Sequence, residues 1–185
     1  MILENPLDRD LFFYSDVAQD SIGELTQAIV FINRHDEKLA NISHAYGFTY
    51  TPDPIKLYVN SFGGDVYACL GLISIMKTSK TPIHTIVTGC AMSAGFMIAI
   101  SGHKRFCYNN SSYMWHQVSS LNYGKIQEKE ENMIEDRRLQ VILDQHILDL
   151  TGITTKKLEK MYKSKQDKFF NPEKALELNL VDSII

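Results

Sequence analysis

Ser93 lies in Ala91-Met92-Ser93-Ala94-Gly95, a run of small residues between two apolar stretches. A serine at such a junction has two readings. Its hydroxyl can cap a helix, a common use of serine. It can also be a nucleophile in a turn of the small-x-Ser-x-Gly kind, where free N–H groups and the helix dipole favour developing negative charge. A nucleophilic serine needs a base and an acid that orients the base. His116 closes the apolar run Tyr113-Met114-Trp115 and is the candidate base; the alternative is a satisfied histidine at the end of a buried strand. Asp167 opens Asp167-Lys168-Phe169-Phe170 and reads equally as the acid or as a surface turn residue. The pair Gly63-Gly64 forms a second small-residue turn, which permits positive φ and the close approach of another backbone. A plain strand-to-helix turn explains that pair as well. None of the other histidines (His35, His44, His84, His103 and His146) has a comparable setting.

The elements that must position these residues alternate between apolar runs and helical patterns. Leu11 to Tyr14 reads as a strand, followed by a helix whose apolar face is Ile22, Leu25, Ile29 and Ile32. Residues 35–54 are polar, rich in turn formers and aperiodic, which predicts a long loop. Ile55 to Val59 is a strand, and the helix after Asp65 carries Val66, Leu70, Ile73 and Met76 on one face. Ile83 to Val87 is a strand, and Ser93 to Ile100 is an apolar helix. Arg105 to Tyr108 and Tyr113 to Trp115 are short strands joined by a turn at Asn109-Asn110. A charged helix from about Gln127 to Leu150 has its apolar stripe at Ile134, Val141, Ile142 and Leu148, with Gly152 as a stop. Thr154 or Thr155 caps a further helix, Pro172 opens the last one, and Leu180-Val181 leads into a closing strand. Strands alternating with helices predict an α/β protein.

The 185 residues suit one domain. A hydrophobic fraction of 44% and a charged fraction of 22% exclude a disordered chain. Nineteen basic and 22 acidic side chains give a formal charge of -3 with no basic block, so no nucleic-acid footprint is expected. The stretch from Thr81 to His103 lacks Lys, Arg, Asp and Glu, but its Pro, Gly, Ser, Thr and His mark buried core rather than a membrane span. No signal peptide is read at Met1 to Asp10. Cys69, Cys90 and Cys107 have no metal-ligand spacing and read as reduced core thiols of a cytoplasmic protein. No metal or organic cofactor is implied.

From Ile55 onward the chain resembles ClpP, the serine peptidase subunit that works with ring-shaped ATPases. The resemblance is carried by Leu57-Tyr58-Val59-Asn60-Ser61-Phe62-Gly63-Gly64, Gly89-Cys90-Ala91-Met92-Ser93-Ala94-Gly95, Lys104-Arg105-Phe106-Cys107 with Asn109-Asn110-Ser111, Met114-Trp115-His116-Gln117 and Asn179-Leu180-Val181-Asp182. It implies an α/β spiral of β-β-α units, as in the ClpP and crotonase group, assembled into a homo-oligomeric ring that is a heptamer or a stacked double ring. It implies Ser93 as nucleophile, His116 as general base and acid, Asp167 as the residue holding the imidazole tautomer, and the Gly64 and Ala94 N–H groups as the oxyanion hole. The implied activity is an endopeptidase for unfolded polypeptides, fed by an AAA+ unfoldase.

The chain also departs from that family. About ten residues precede Leu11, the 35–54 loop is longer, and the 117–150 handle region is dense in charge between Lys125 and Asp136. Val118-Ser119-Ser120-Leu121 replaces a proline and glycine pair, Gln166 replaces an arginine, and Phe62 replaces a proline. Rival readings are a catalytically silent ring subunit, a phage prohead-type maturation protease, a crotonase-type acyl-CoA enzyme and a signal-peptide-peptidase relative. The complete Ser93, His116 and Asp167 set argues against the silent and crotonase readings.

Overall fold

The computed structural model describes residues 7–120 and 124–185, so part of the N-terminal segment and the sequence reading at Leu121 lie outside the described residues. A mostly parallel sheet forms the centre, in the order β1 (Asp10–Phe13), β2 (Ile55–Ser61), β3 (Ile83–Met92), β4 (Lys104–Cys107) and β7 (Ser183–Ile184). One face of the strands is buried: Ile55, Leu57, Val59 and Ile83 have no exposed surface, while Lys56 and Asn60 between them are exposed. That alternation marks strands with one face on the core. The α/β expectation is met.

β3 is long enough to serve two neighbours. Its first half pairs with β4 through His84–Val87, and its second half pairs with β5 (Ser112–Trp115) through Cys90–Met92. The turn at Asn109-Asn110 therefore does not make a hairpin. It lets the chain step from one part of β3 to the next, with both β4 and β5 parallel to β3. β6 (Lys168–Phe170) then pairs antiparallel with β5. Between β2 and β3 the register shifts at Val59/Ser61. Asn60 fills the gap: its Oδ1 accepts the Cys90 N–H at 3.0 Å, and a Cβ on Gly89 would come within 2.6 Å of that oxygen.

Helix α1 (Gln19–Ala45) buries Ile22, Leu25, Ile29 and Ile32, as expected. It also overturns the first part of the loop expected over residues 35–54, because the helix continues through Ala45; residues 46–54 are loop as expected. Residues beyond Ile32 lack an apolar stripe, yet once a helix is nucleated each added residue propagates cheaply. Their one fully packed member is polar. Asp36 accepts from Arg9 Nη1 at 3.0 Å, from the Tyr50 hydroxyl at 2.8 Å and from the Thr81 hydroxyl at 2.6 Å. Burial raises the Asp36 pKa, but the Arg9, Thr81 and Tyr50 hydrogen bonds outweigh it and hold it below the usual carboxylate range. Gly47, at φ +79°, ends α1: its N–H reaches His44 O at 3.0 Å and the Phe48 N–H reaches Ser43 O at 2.8 Å.

Helix α2 (Val66–Thr78) buries Cys69, Leu72, Ile73 and Met76, whereas Val66 and Leu70 pack only at the rim. Helix α4 (Ile126–Leu150) corrects the expected stripe. Leu139, Leu143, His146 and Ile147 are buried, while Ile134 and Val141 are 68% and 67% exposed. The helix offers two apolar rows, and the i, i+4, i+8 row of Leu139, Leu143 and Ile147 is the one the core takes. α5 (Thr155–Lys163) is capped by Thr154, and α6 (Pro172–Glu177) by Asn171 with Pro172 in its first turn. All three cysteines are free and buried. Among the described residues, no helix is long and apolar enough to cross a membrane.

Candidate active site

Ser93 joins β3 to α3 (Ala94–Ala99) at φ 52° and ψ -119°, a conformation costly for a residue with a side chain. Its N–H is held by Met114 O at 2.9 Å. The helix-cap reading fails here, since the Ser93 side chain makes no cap hydrogen bond. Instead its Oγ lies 2.8 Å from His116 Nε2. Both chain segments that meet in this bond come from β3 and β5, whose pairing ends at Met92 and Met114.

The glycine pair explains how other backbone reaches the serine. A Cβ on Gly63, at φ +105°, would stand 2.8 Å from Met92 O and 2.8 Å from Ser93 Cβ. A Cβ on Gly64, at φ +143°, would run into the Val17 carbonyl oxygen. Gly63 O and the Asp65 N–H bond to Val17 on that side, at 2.8 and 2.7 Å. In a parallel bridge those neighbours point toward Val17, which leaves the Gly64 N–H on the opposite side. Gly95 is as constrained, because a Cβ there would lie 2.9 Å from Ser61 O.

Gly64, Ser93, Ala94 and His116 line one cavity of about 50 Å³, together with Cys69, Met97, Trp115 and Leu143. The Cys69 thiol donates to Ala94 O at 3.3 Å, and burial pushes its pKa up to about 12, so it stays protonated. Phe96, on α3, packs against Trp115 at 5.6 Å and Phe170 at 6.4 Å between ring centroids, tying α3 to β5 and β6.

Asp167 is brought near but not into hydrogen-bond contact. It is the next residue beyond the Trp115–Lys168 pair of the β5–β6 ladder, as His116 is on the other strand. Both line an open cavity of about 570 Å³ whose wall includes Gln166, Asp136 and Lys165. Asp167 itself is exposed, and no hydrogen bond joins it to His116 among the described residues. Gln166, where the family resemblance implied an arginine, lies exposed on the same wall.

A second serine–histidine contact makes a useful contrast. Ser101 Oγ donates to Met97 O at 2.6 Å and lies 2.7 Å from His146 Nε2. Its proton is committed to a carbonyl, so His146 serves it as a donor and cannot act as its base. Both residues are buried, which suits a structural pair. Sequence reasoning missed this pair, and it also missed Gln140 and Tyr162, which bond to residues flanking His116, and Asp144, which accepts from both of them. Only the Gln140–Asp144 spacing of four along α4 hinted at an interaction.

A parallel α/β sheet that presents a positive-φ serine to an imidazole at its strand ends defines a Ser–His site of the kind used in acyl transfer. The Clp protease family model matches residues 6–185. The ATP-dependent Clp protease proteolytic subunit of Deinococcus radiodurans is 34% identical over 133 residues, 71% of this chain and 64% of that protein. The chloroplastic proteolytic subunit 3 of Arabidopsis thaliana is 32% identical over 133 residues, 71% of this chain and 42% of that protein. The proteolytic subunit of Streptococcus suis is 31% identical over 186 residues, 96% of this chain and 91% of that protein. The match thus spans less than two thirds of the first two relatives and most of the third. The chain belongs to the Clp protease family.

Proposed function

We propose that the protein is a serine endopeptidase acting on unfolded polypeptides inside a ring of its own copies, fed by an ATP-dependent unfoldase. The observation that carries the reading is the 2.8 Å contact between Ser93 Oγ and His116 Nε2 at a strained strand-to-helix turn. In the reaction, His116 Nε2 takes the Ser93 hydroxyl proton as Oγ attacks the peptide carbonyl carbon. The carbonyl oxygen becomes an oxyanion, held by the Gly64 and Ala94 N–H groups. Loss of one such donor typically costs about 3 kcal/mol in the transition state. Collapse breaks the C–N bond, and the proton on His116 passes to the leaving amine. Water then cleaves the acyl-Ser93 ester by the same steps in reverse. Asp167 orients the imidazole.

Two features support the assembled form. The outer row of α4 leaves Ile134 and Val141 bare, as a face covered by another subunit would. The relatives' names describe them as proteolytic subunits of an ATP-dependent protease. The test is intact mass after incubation with a fluorophosphonate, with native mass on the same sample. One adduct at Ser93 in a ring-sized assembly is expected, and none in Ser93→Ala. An assembled wild-type protein that takes no adduct overturns the reading.

A further inference from the structure

Trp115 and Val118 flank His116, and the side chains that hold them belong to one hydrogen-bonded cluster. The Trp115 indole N–H donates to the Tyr162 hydroxyl at 3.1 Å, and the Val118 backbone N–H donates to Gln140 Oε1 at 2.7 Å. Gln140 Nε2 donates to the Tyr162 hydroxyl at 2.9 Å and to Asp144 Oδ1 at 2.8 Å. The Tyr162 hydroxyl donates to Asp144. The amide orientation follows from chemistry, because a backbone N–H can only donate and so must face Oε1.

Every polar atom of Gln140 and Tyr162 is thereby used. Both Nε2 hydrogens are spent, and the phenol gives its one proton while accepting two. Burial, and then the bond to Asp144, pushes the Tyr162 pKa up, so the phenol remains a donor. Gln140 and Asp144 come from α4 and Tyr162 from α5, neither of which carries a proposed catalytic group.

We propose that Gln140 and Tyr162 are positioning residues for His116. The β3–β5 pairing ends at Met114 and the β5–β6 pairing at Trp115, so His116 lies just past the last ladder bonds that hold its strand. A segment pinned on one side alone pivots about its last bond. Here the cluster pins residue 115 before the imidazole and residue 118 after it. That keeps Nε2 at bonding distance from Ser93 Oγ. A misplacement of about 1 Å costs on the order of 100-fold in rate at such a centre. The kinetic part of this inference rests on the peptidase reading above; the geometric part does not.

The test uses the full chain with Gln140→Met and Tyr162→Phe, each nearly isosteric. Two signals report geometry without any turnover: the 15N resonances of the His116 ring at fixed pH, and the indole N–H resonance of Trp115, the chain's single tryptophan. The third readout is the rate of Ser93 modification by a fluorophosphonate. Both variants are expected to shift the His116 ring signals and to slow modification about 10- to 100-fold while remaining folded. Gln140→Glu adds a pH signature. Its carboxylate still accepts from Val118 but cannot donate to Asp144, whose charge it opposes. Its rate relative to wild type should recover as pH falls from about 8 to about 5 and the carboxyl takes a proton. Folded variants with His116 signals and modification rates indistinguishable from wild type overturn the proposal. A wild-type Ser93 that never reacts overturns the peptidase reading instead, and the ring signals still decide the positioning role.

Discussion

His116 and Asp167 leave the mouth of the same ladder: each is the next residue beyond the Trp115–Lys168 pair that closes the antiparallel β5–β6 pairing. Antiparallel strands advance in opposite directions, so the register that aligns Tyr113 with Phe170 also delivers these two residues to one another. Asp167 is exposed, and its place across from His116 puts its carboxylate on the strand that faces the imidazole. Asp167→Asn is therefore expected to lower kcat on a peptide substrate by about 10⁴-fold through the wrong His116 tautomer, with KM little changed. Steady-state kinetics at saturating and limiting peptide separate the two constants. Wild-type turnover in that variant would assign the orienting role to another acid.

Gly63 is a second sharp test, because its effect on Ser93 is steric and involves no proton. In Gly63→Ala the new Cβ meets Met92 O and Ser93 Cβ, each at 2.8 Å, in a backbone at φ +105°. One side of this clash is main chain, so the serine turn must move. Peptidase activity should fall at least about 100-fold, as expected for a displacement near 1 Å. The sheet beneath is already complete, so far-ultraviolet circular dichroism should keep its folded shape. Retained fluorophosphonate labelling at the wild-type rate would show that the turn tolerates the methyl group.

The parts of this fold that were legible in the sequence are those whose signal is local. Ser93, Gly64 and Ala94 sit in short runs of small residues between apolar stretches, and a strand–turn–helix with no room for side chains has that composition. His116 was found by its place at the end of an apolar strand. The helical stretch from residue 35 to Ala45 was not legible, because periodicity reports a buried apolar face. Its buried residue is Asp36, whose partners Arg9, Tyr50 and Thr81 lie 27, 14 and 45 positions away. The α4 stripe failed for a related reason: two apolar rows compete, and the neighbours across the core decide which one is buried. Gln140 and Tyr162 lie 22 positions apart on separate helices, so only the packing of α4 beside α5 brings them together.

Asp36 should be a stability determinant out of proportion to its polar surroundings. Asp36→Ala leaves the Arg9 guanidinium without its counter-charge and the Tyr50 and Thr81 hydroxyls without their acceptor. Leaving buried hydrogen-bonding groups without their partner typically costs about 1–3 kcal/mol. Urea unfolding should show a midpoint lowered accordingly with an unchanged slope. Arg9→Met is expected to cost less, since the Arg9 head group is partly exposed and Asp36 keeps two hydroxyl donors. Equal losses in the two variants would mean that the charge, not the hydroxyl acceptor, dominates.

The acid side of the stability curve should show two separate windows. Burial, followed by the charge of Lys77, pushes the His146 pKa down from 6.5 to about 4. Between those values the unfolded chain binds a proton that the native chain refuses, so the native state loses stability as pH falls. The carboxylates act lower down. Asp182, although burial raises it, is held below 3.8 by hydrogen bonds from the Arg105 side chain and backbone, and Asp36 is likewise depressed. Their stabilisation is complete above that value and is lost only as pH falls through their lowered native values. Urea titrations at a series of pH values, on wild type and His146→Asn, separate the windows. The variant should lose most of the slope between pH 6.5 and about 4 and keep the collapse below it. A shallower slope should survive from His84, which burial and then Lys104 also hold below its ordinary value. An unchanged slope in His146→Asn would show that His146 binds its proton as readily in the native state as in the unfolded chain.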